Sequence, residues 1–422
     1  MKIYKFGGAS VKDAAGVRNL HRIVSAADDK LVVVVSAMGK TTNALESVLD
    51  SFFNRKPDLD AKIQAIVDYH ETIVSELFTP KNRYLADEKL SQLYADLRAD
   101  VALKPSLSYD YEYDRIVSFG ELISTTIVSA YLQSQHEKVK FADIRNYLKT
   151  DDNYREGNVD IQLSHRLVND MFNFKNYDLY VTQGFIAGTI TNQTTTLGRE
   201  GSDYTAALLA NLLDAASVTI WKDVPGVMNA DPKRYAEVQV IPKLSYKEAI
   251  ELSYCGASVI HPKTVKPIQN KRIPLYVKSF VDPTLPGSAI QEVLGKLDLP
   301  PVYINKANQV LLTLTPRDFS FIAEEKLSKI FAILASYRIK VSLIQTSAIS
   351  FSLCIDYNPA IFKNLVTELQ DEYEVLYNTD VELITIRHYT KAIVEKLVGE
   401  KLVFVEQRNR LTARFVVSED GK

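Results

Sequence analysis

The chain is poor in several residue types, and each shortage closes off a class of protein. Among 422 residues there are two cysteines, Cys255 and Cys354, far apart and without metal-ligand spacing. Buried free thiols are expected, rather than a disulfide framework or a zinc site. Neither sign of charge is in excess, since 50 Lys and Arg stand against 52 Asp and Glu, a formal net charge of −2. Nucleic acid and anionic membranes are therefore not expected partners, and any basic residue that matters must act locally. No apolar run reaches the ~18 residues of a transmembrane helix. The N-terminus enters a strand-like segment at once, without a signal-peptide pattern, so the cytoplasm is the expected location. What the chain does have is 46% hydrophobic residues over a length that suits two or three domains, each with its own core.

The most informative stretch is residues 179–213, LYVTQGFIAGTITNQTTTLGREGSDYTAALLANLL. It reads as strand, polar loop, glycine turn and helix. Gly198 and Gly201 permit close backbone approach to a ligand. Ser202 and Asp203 stand where a helix N-cap belongs, ahead of the apolar positions Ala206, Leu208, Leu209, Leu212 and Leu213. A helix start of this kind is an anion site, although a capped helix after a left-handed turn is its plain structural reading. Arg199 shifts the balance, because a guanidinium fork suited to a carboxylate adjoins an acid and a hydroxyl in one turn.

Around this stretch strands alternate with helices. Residues 2–6 and the wholly apolar 31–35 read as buried parallel strands, each ending in a small-residue turn, Gly7-Gly8-Ala9-Ser10 and Ser36-Ala37-Met38-Gly39. Ligands collect at such carboxyl-end turns in open α/β sheets. Neither turn is a Walker A loop or a dinucleotide fingerprint, because the required glycine spacing is missing. Lys5 at the strand end is a candidate phosphate contact. Residues 43–110 read as a mostly helical excursion without chemistry. Glu121, in Phe119-Gly120-Glu121, lies among apolar and small residues, where a carboxylate needs a partner, either a protein base or a ligand ammonium. The loop from Lys222 and Asp223 through Met228 to Lys233 follows the strand 218–221, a position suited to nucleotide contact. His261, before Pro262, reads as a turn or packing residue.

Taken in order, KFGGAS at Lys5, SAMGKTTN at Ser36, SFGE at Ser118, TTTLGREGSDYTAALLA at Thr194, WKDVPGVMNADPK at Trp221 and GASVIHPKT at Gly256 resemble the aspartate kinases of the amino-acid kinase fold. The resemblance implies an α/β fold, a three-layer mostly parallel sheet in residues 1–298, with the aspartate site mainly in 1–203 and the nucleotide site mainly in 204–298. It implies transfer of the ATP γ-phosphoryl group to the β-carboxylate of L-aspartate. That carboxylate is already the nucleophile, so catalysis reduces to positioning and charge neutralisation. Lys5 and Asp203 would be catalytic. Thr42, Glu121, Arg199 and Ser202 would hold aspartate. Lys5, Gly7, Gly8, Lys222, Asp223, Met228, Lys233 and Ser258 would contact ATP, with Mg²⁺ carried on the phosphates rather than in a protein metal site. Many relatives have threonine at Ala9, glycine at Glu200, tyrosine at Met228, arginine at Lys233 and lysine at Ser258. None removes Lys5, Glu121, Arg199 or Asp203, and those at Met228, Lys233 and Ser258 touch the details of ATP contact.

After Pro300 and Pro301, the pattern strand 310–314, helix, strand 341–346, strand 350–356, helix, strand 374–377 is a βαββαβ unit. A second copy from residue 381 stops before its last helix and strand. Residues 302–422 resemble the paired ACT domains of aspartate kinases, which implies an amino-acid effector and a homodimer. The incomplete copy has an edge to cover, and a second subunit is one way to cover it. Lysine-sensitive relatives carry acids in the segment matching 341–350, where this chain has Ser342 and Ala348, so weak or absent lysine feedback is expected, with threonine or no effector left open. No dinucleotide-binding region follows, so fusion to a homoserine dehydrogenase is not expected. Two other functions stay open: a sister kinase acting on glutamate, carbamate or a nucleotide, and a catalytically silent amino-acid sensor.

Overall fold

The computed structural model describes residues 1–135, 138–257, 260–295, 297–318 and 320–419. It divides into two compact units, the first comprising Met1–Val227, Val240–Ser253 and Ser258–Leu297, the second Met228–Gln239, Tyr254–Ala257 and Asp298–Lys422.

In the first unit the strands are β1 (Lys2–Phe6), β2 (Leu31–Val35), β3 (Val139–Ala142), β4 (Lys149–Thr150), β5 (Leu179–Gln183), β6 (Ile186–Thr189), β7 (Thr194–Thr196), β8 (Ser217–Lys222), β9 (Lys243–Ser245), β10 (Leu275–Ser279) and β11 (Ser288–Gln291). Eight of them form one sheet in the order β3-β5-β2-β1-β8-β10-β11-β9, parallel except where β11 meets β10. The runs KIYKF, LVVVV and LYVTQ are β-branched and aromatic, and every residue of β2 and β5 is buried, as a sheet covered on both faces requires. The helices are α1 (Ala14–Ser25), α2 (Thr41–Phe53), α3 (Leu59–Leu77), α4 (Tyr84–Ala102), α5 (Tyr109–Val117), α6 (Phe119–Gln135), α7 (Ile161–Met171), α8 (Gly201–Leu212), α9 (Tyr246–Tyr254) and α10 (Pro262–Asn270). Helices α1 to α5 gather round α6, which lies on β2, β3 and β5, while α7 and α10 gather round α8, which lies on β1, β2 and β8. The sheet is thus the middle of three layers.

Residues 109–135, spanning α5 and α6, are long and apolar enough to cross a membrane, yet 94% of their most apolar window is buried inside the fold. Their apolar surface is spent on the protein core. The hydroxyl-rich segment at Thr194, expected to be loop, is instead β7 of a small sheet ordered β4-β6-β7. Threonine suits strands, and here Thr195 and Thr196 are buried by pairing with Thr150 and Asp114. Strands β9 and β11 also lie beyond the sequence reading. They are three and four residues long, too short to carry a period.

The second unit contains β12 (Val302–Pro316), α11 (Glu324–Ser336), β13 (Val341–Thr346), β14 (Phe351–Asp356), α12 (Pro359–Leu369), β15 (Tyr373–Arg387), α13 (Lys391–Val398), β16 (Leu402–Arg408) and β17 (Thr412–Ser418). They build one antiparallel sheet, β13-β14-β12-β15-β17-β16. The strands expected at 374–377 and 381–386 are one continuous strand, β15, with Asp380 at φ 58° between its halves. Its partner β12 begins eight residues before the strand expected at 310, and residues 302–306 pair with 383–387. The edge left open by the truncated second copy is therefore covered within the chain, by the first half of β12. Two ACT-like halves share two long strands. Val310, Leu312, Leu314, Leu353 and Leu365 form a core under α11 and α12, and Ile384, Ile386, Leu397 and Phe415 form another under α13.

Candidate active site

Strand register decides where the site lies. Phe6 stands opposite Val35 and Trp221, and Val35 opposite Gln183. The turns after β1, β2, β5 and β8 therefore leave the sheet side by side at its carboxyl end. Two of them touch. A Cβ on Gly8 would stand 2.7 Å from the Ala37 carbonyl oxygen and 2.9 Å from that of Gly39, so only glycine fits this approach. The Gly39 N–H donates to the Gly8 oxygen at 3.0 Å, which locks the turns together.

Lys5, one residue from the end of β1, is buried, and its Nζ lies 2.6 Å from Asp203 Oδ1 in an ion pair whose geometry is not that of a directed hydrogen bond. Lys222, the last residue of β8, approaches the other carboxylate oxygen at 3.7 Å. Burial alone would push the Asp203 carboxyl up, but Lys5 and Lys222 more than offset it and hold the group below the usual carboxylate range. A Cβ on Gly7 would lie 3.5 Å from the Lys5 ammonium, so this charge overhangs the Gly7 backbone. Gly8 opens the short 3₁₀ turn that follows.

Glu121 enters from α6. Gly120 lets that helix close on the second turn, because a Cβ there would stand 2.9 Å from the Ala37 Cβ. Glu121 Oε1 then accepts from the Ala37 N–H at 3.1 Å, and Ser124 Oγ donates to the Ser36 oxygen at 2.7 Å. Oε2 is buried and, among the described residues, has no hydrogen-bond partner. Burial pushes this carboxyl up to about 8, against the opposing effects of the Ala37 N–H and Lys5. Lys5 acts on the group only as a charge.

The other expected residues vary in placement. Ser202 is buried in the first turn of α8, Thr42 is half-buried in the first turn of α2, and Arg199 is exposed on the loop before α8. Asp223 is exposed just after β8. Met228 and Lys233 belong to the segment Met228–Gln239, which groups with the second unit, where the Lys233 N–H donates to Asp231 Oδ1 at 2.9 Å. Ser258 lies outside the described residues. The N-cap expectation is corrected: Glu200 caps α8, and Ser202 and Asp203 fall inside its first turn, with no side-chain cap bond. Asp203 turns to the lysines instead, because a charge-assisted contact with an ammonium is stronger than a cap bond to a neutral N–H.

The amino acid kinase family matches residues 1–279. Lysine-sensitive aspartokinase 3 of Escherichia coli K12 is 33% identical over 363 residues, which cover 84% of this chain and 78% of that protein. The chain belongs to the aspartokinases. Aspartokinase 3 of Arabidopsis thaliana chloroplasts is 32% identical across 88% of this chain and 67% of that protein. The solved structure of E. coli aspartokinase III with aspartate and ADP superposes with a TM-score of 0.84 at 28% identity, covering 99% of this chain and 96% of that one.

Two carboxylates near this aspartokinase site were given no role by sequence. Asp114, buried on α5, accepts from the N–H groups of Thr196 (2.8 Å) and Arg155 (2.9 Å) and from Thr196 Oγ1 (2.6 Å). It anchors β7, and with it the loop that carries Arg199. Burial raises its carboxyl to about 6 despite these three donors. An acid among Tyr113, Ile116 and Val117 was the available signal. The second is Glu200, whose carboxyl burial also pushes up.

Proposed function

We propose that the chain transfers the γ-phosphoryl group of ATP to the β-carboxylate of L-aspartate, giving 4-phospho-L-aspartate, the first step toward lysine, threonine and methionine. One observation carries the reading: a buried Lys5–Asp203 pair, joined by Lys222, stands within electrostatic reach of a second buried carboxylate, Glu121, that has one oxygen unsatisfied. A phosphoryl group fits the first, and a substrate ammonium fits the second.

Residues 1–298 supply catalysis in this reading, with aspartate mainly in 1–203 and nucleotide mainly in 204–298. The amides of Gly7 and Gly8 and the Lys5 ammonium take the phosphates, and Lys5 neutralises the charge that spreads over the transferring oxygens. Asp203 holds Lys5 in place. Glu121 takes the aspartate ammonium, Arg199 grips its α-carboxylate with two parallel hydrogen bonds, and Thr42 and Ser202 add hydroxyl contacts. The aspartate β-carboxylate is then left free to attack. Lys222 and Asp223 contact the nucleotide. Among the described residues no group of three or more His, Cys, Asp or Glu could hold a metal, and Asp203 is engaged by two lysines. Such a site fits Mg²⁺ carried by the ATP phosphates, where it supplies charge neutralisation. Residues 302–422 form the regulatory and dimerisation region.

The test is ADP release with Mg-ATP and L-aspartate, with hydroxylamine trapping the acyl phosphate, alongside Arg199→Ala. Aspartate-dependent turnover should fall about a hundredfold or more in the variant, as when one charged substrate contact is removed. ATP binding without aspartate turnover would move the acceptor to another carboxylate, carbamate or nucleotide.

A further inference from the structure

Glu200 sits in a conformation that serves the fold badly. As the N-cap of α8 it adopts φ 53° and ψ 30°, the left-handed region that disfavours any residue with a Cβ. Its carbonyl accepts from the N–H groups of Asp203 (3.0 Å) and Tyr204 (3.1 Å), bonds that glycine would supply equally well. Its side chain makes no cap bond, and Oε2 is buried without a hydrogen-bond partner. Strain in the backbone and desolvation in the carboxylate are both tolerated at one position, a combination that belongs to functional sites.

The charges around it say what that function is. Lys222 from β8, Asp203 from α8, Lys5 from β1 and Arg199 from its own loop all act on the Glu200 carboxyl. Burial pushes that carboxyl up, and Lys222 is the strongest opposing influence. Glu200 caps the helix turn whose Asp203 pairs with Lys5 and Lys222, and in the reading above, on which this inference rests, Lys5 meets the phosphates and Lys222 the nucleotide.

We propose that Glu200 is an internal counterion of the nucleotide subsite: its carboxylate offsets Lys222 and Lys5 in the empty site, opposes the incoming triphosphate, and so raises the KM for ATP. The ligand class is a nucleoside polyphosphate. A carboxylate fixed beside a phosphate site repels polyphosphate whichever acceptor the enzyme uses, and removing its charge without its volume should tighten nucleotide binding.

Glu200→Gln and Glu200→Gly in the full chain test this. ADP binding is measured by calorimetry without aspartate at saturating Mg²⁺, and KM and kcat for ATP are measured separately. Both variants should bind ADP about three- to tenfold more tightly than wild type, with the change on KM rather than kcat. The gap should close as pH falls and wild-type Glu200 takes up a proton, while the Gln variant keeps only the titration of the phosphate itself. Glu200→Gly should also raise the melting temperature by relieving the left-handed backbone, an effect the Gln variant lacks. Unchanged affinity in Glu200→Gln overturns the proposal, as does a gain confined to Glu200→Gly, which would make the backbone the cause. Weaker binding with a greater Mg²⁺ requirement overturns it too, by making Glu200 a metal contact. Tighter ADP binding in a protein that does not phosphorylate aspartate would sink the acceptor assignment and leave this inference standing. A wild type that binds no nucleotide sinks both.

Discussion

Glu121 sets a proton problem that a substrate ammonium would solve. With its carboxyl raised by burial to about 8, the substrate-free protein holds a proton there at neutral pH. The unfolded chain would release that proton near its ordinary value of 4.5. The folded state binds the extra proton between these values, so this contribution to stability is full below about pH 4.5 and is lost as pH rises through about 8. Its size is on the order of 5 kcal/mol. An ammonium delivered to Oε2 reverses the preference and expels the proton. Binding of L-aspartate at pH 7 should therefore release close to one proton, read by calorimetry in buffers of different ionisation enthalpy, and Glu121→Gln should abolish the release. Wild-type binding with no proton release would show that Glu121 does not receive the ammonium. At this scale much was legible: a carboxylate amid Phe119, Gly120 and Leu122 advertises a need for a partner. At Glu200 the glycine of many relatives hinted at a left-handed backbone, but the burial of its carboxylate oxygen was not legible, because that belongs to tertiary packing.

Among elements, β13 carries the clearest consequence. Ser342 lies within the segment where lysine-sensitive relatives place acids, and its Oγ accepts from Lys306 Nζ at 3.1 Å while its carbonyl accepts from Arg414 Nη1 at 3.4 Å. Two cations already face this position, so an ammonium-bearing effector meets repulsion instead of a counterion. We expect L-lysine up to roughly 10 mM, a range set by ordinary weak affinities, to inhibit the kinase by less than half in a steady-state titration. Strong inhibition at about 1 mM would overturn this. Strands β12 and β15 mark the limit of periodicity as a guide. Alternation identified their inner segments, but each runs through an irregular middle, with register shifts between Lys306 and Leu311, so the sequence reads as separate pieces. Only pairing across the sheet makes each a single strand.

For the whole molecule the remaining question is assembly. The edge of the second ACT-like half is covered internally, yet the second unit still exposes Leu376, Tyr377, Leu402, Val403 and Phe404, large apolar side chains on its strands. We propose a homodimer formed through this unit, since exposed apolar groups on sheet elements favour burial against a second copy. Sedimentation velocity at micromolar concentration should give twice the 47.5 kDa chain mass, and Phe404→Lys should shift the protein toward monomer. A monomer across that range would exclude the assembly. Taken alone, the sequence determined the layered α/β plan, because hydrophobic period and turn chemistry are local properties, while the aspartokinase family and the charged residues at the sheet's carboxyl end were read from the resemblance of its motifs. Only the tertiary structure decided that Lys5 and Lys222 converge on Asp203, that Asp114 anchors β7, and that one Glu200 carboxylate oxygen is buried. Those relations join residues far apart in sequence, and what creates them is strand register and burial, which no local pattern encodes.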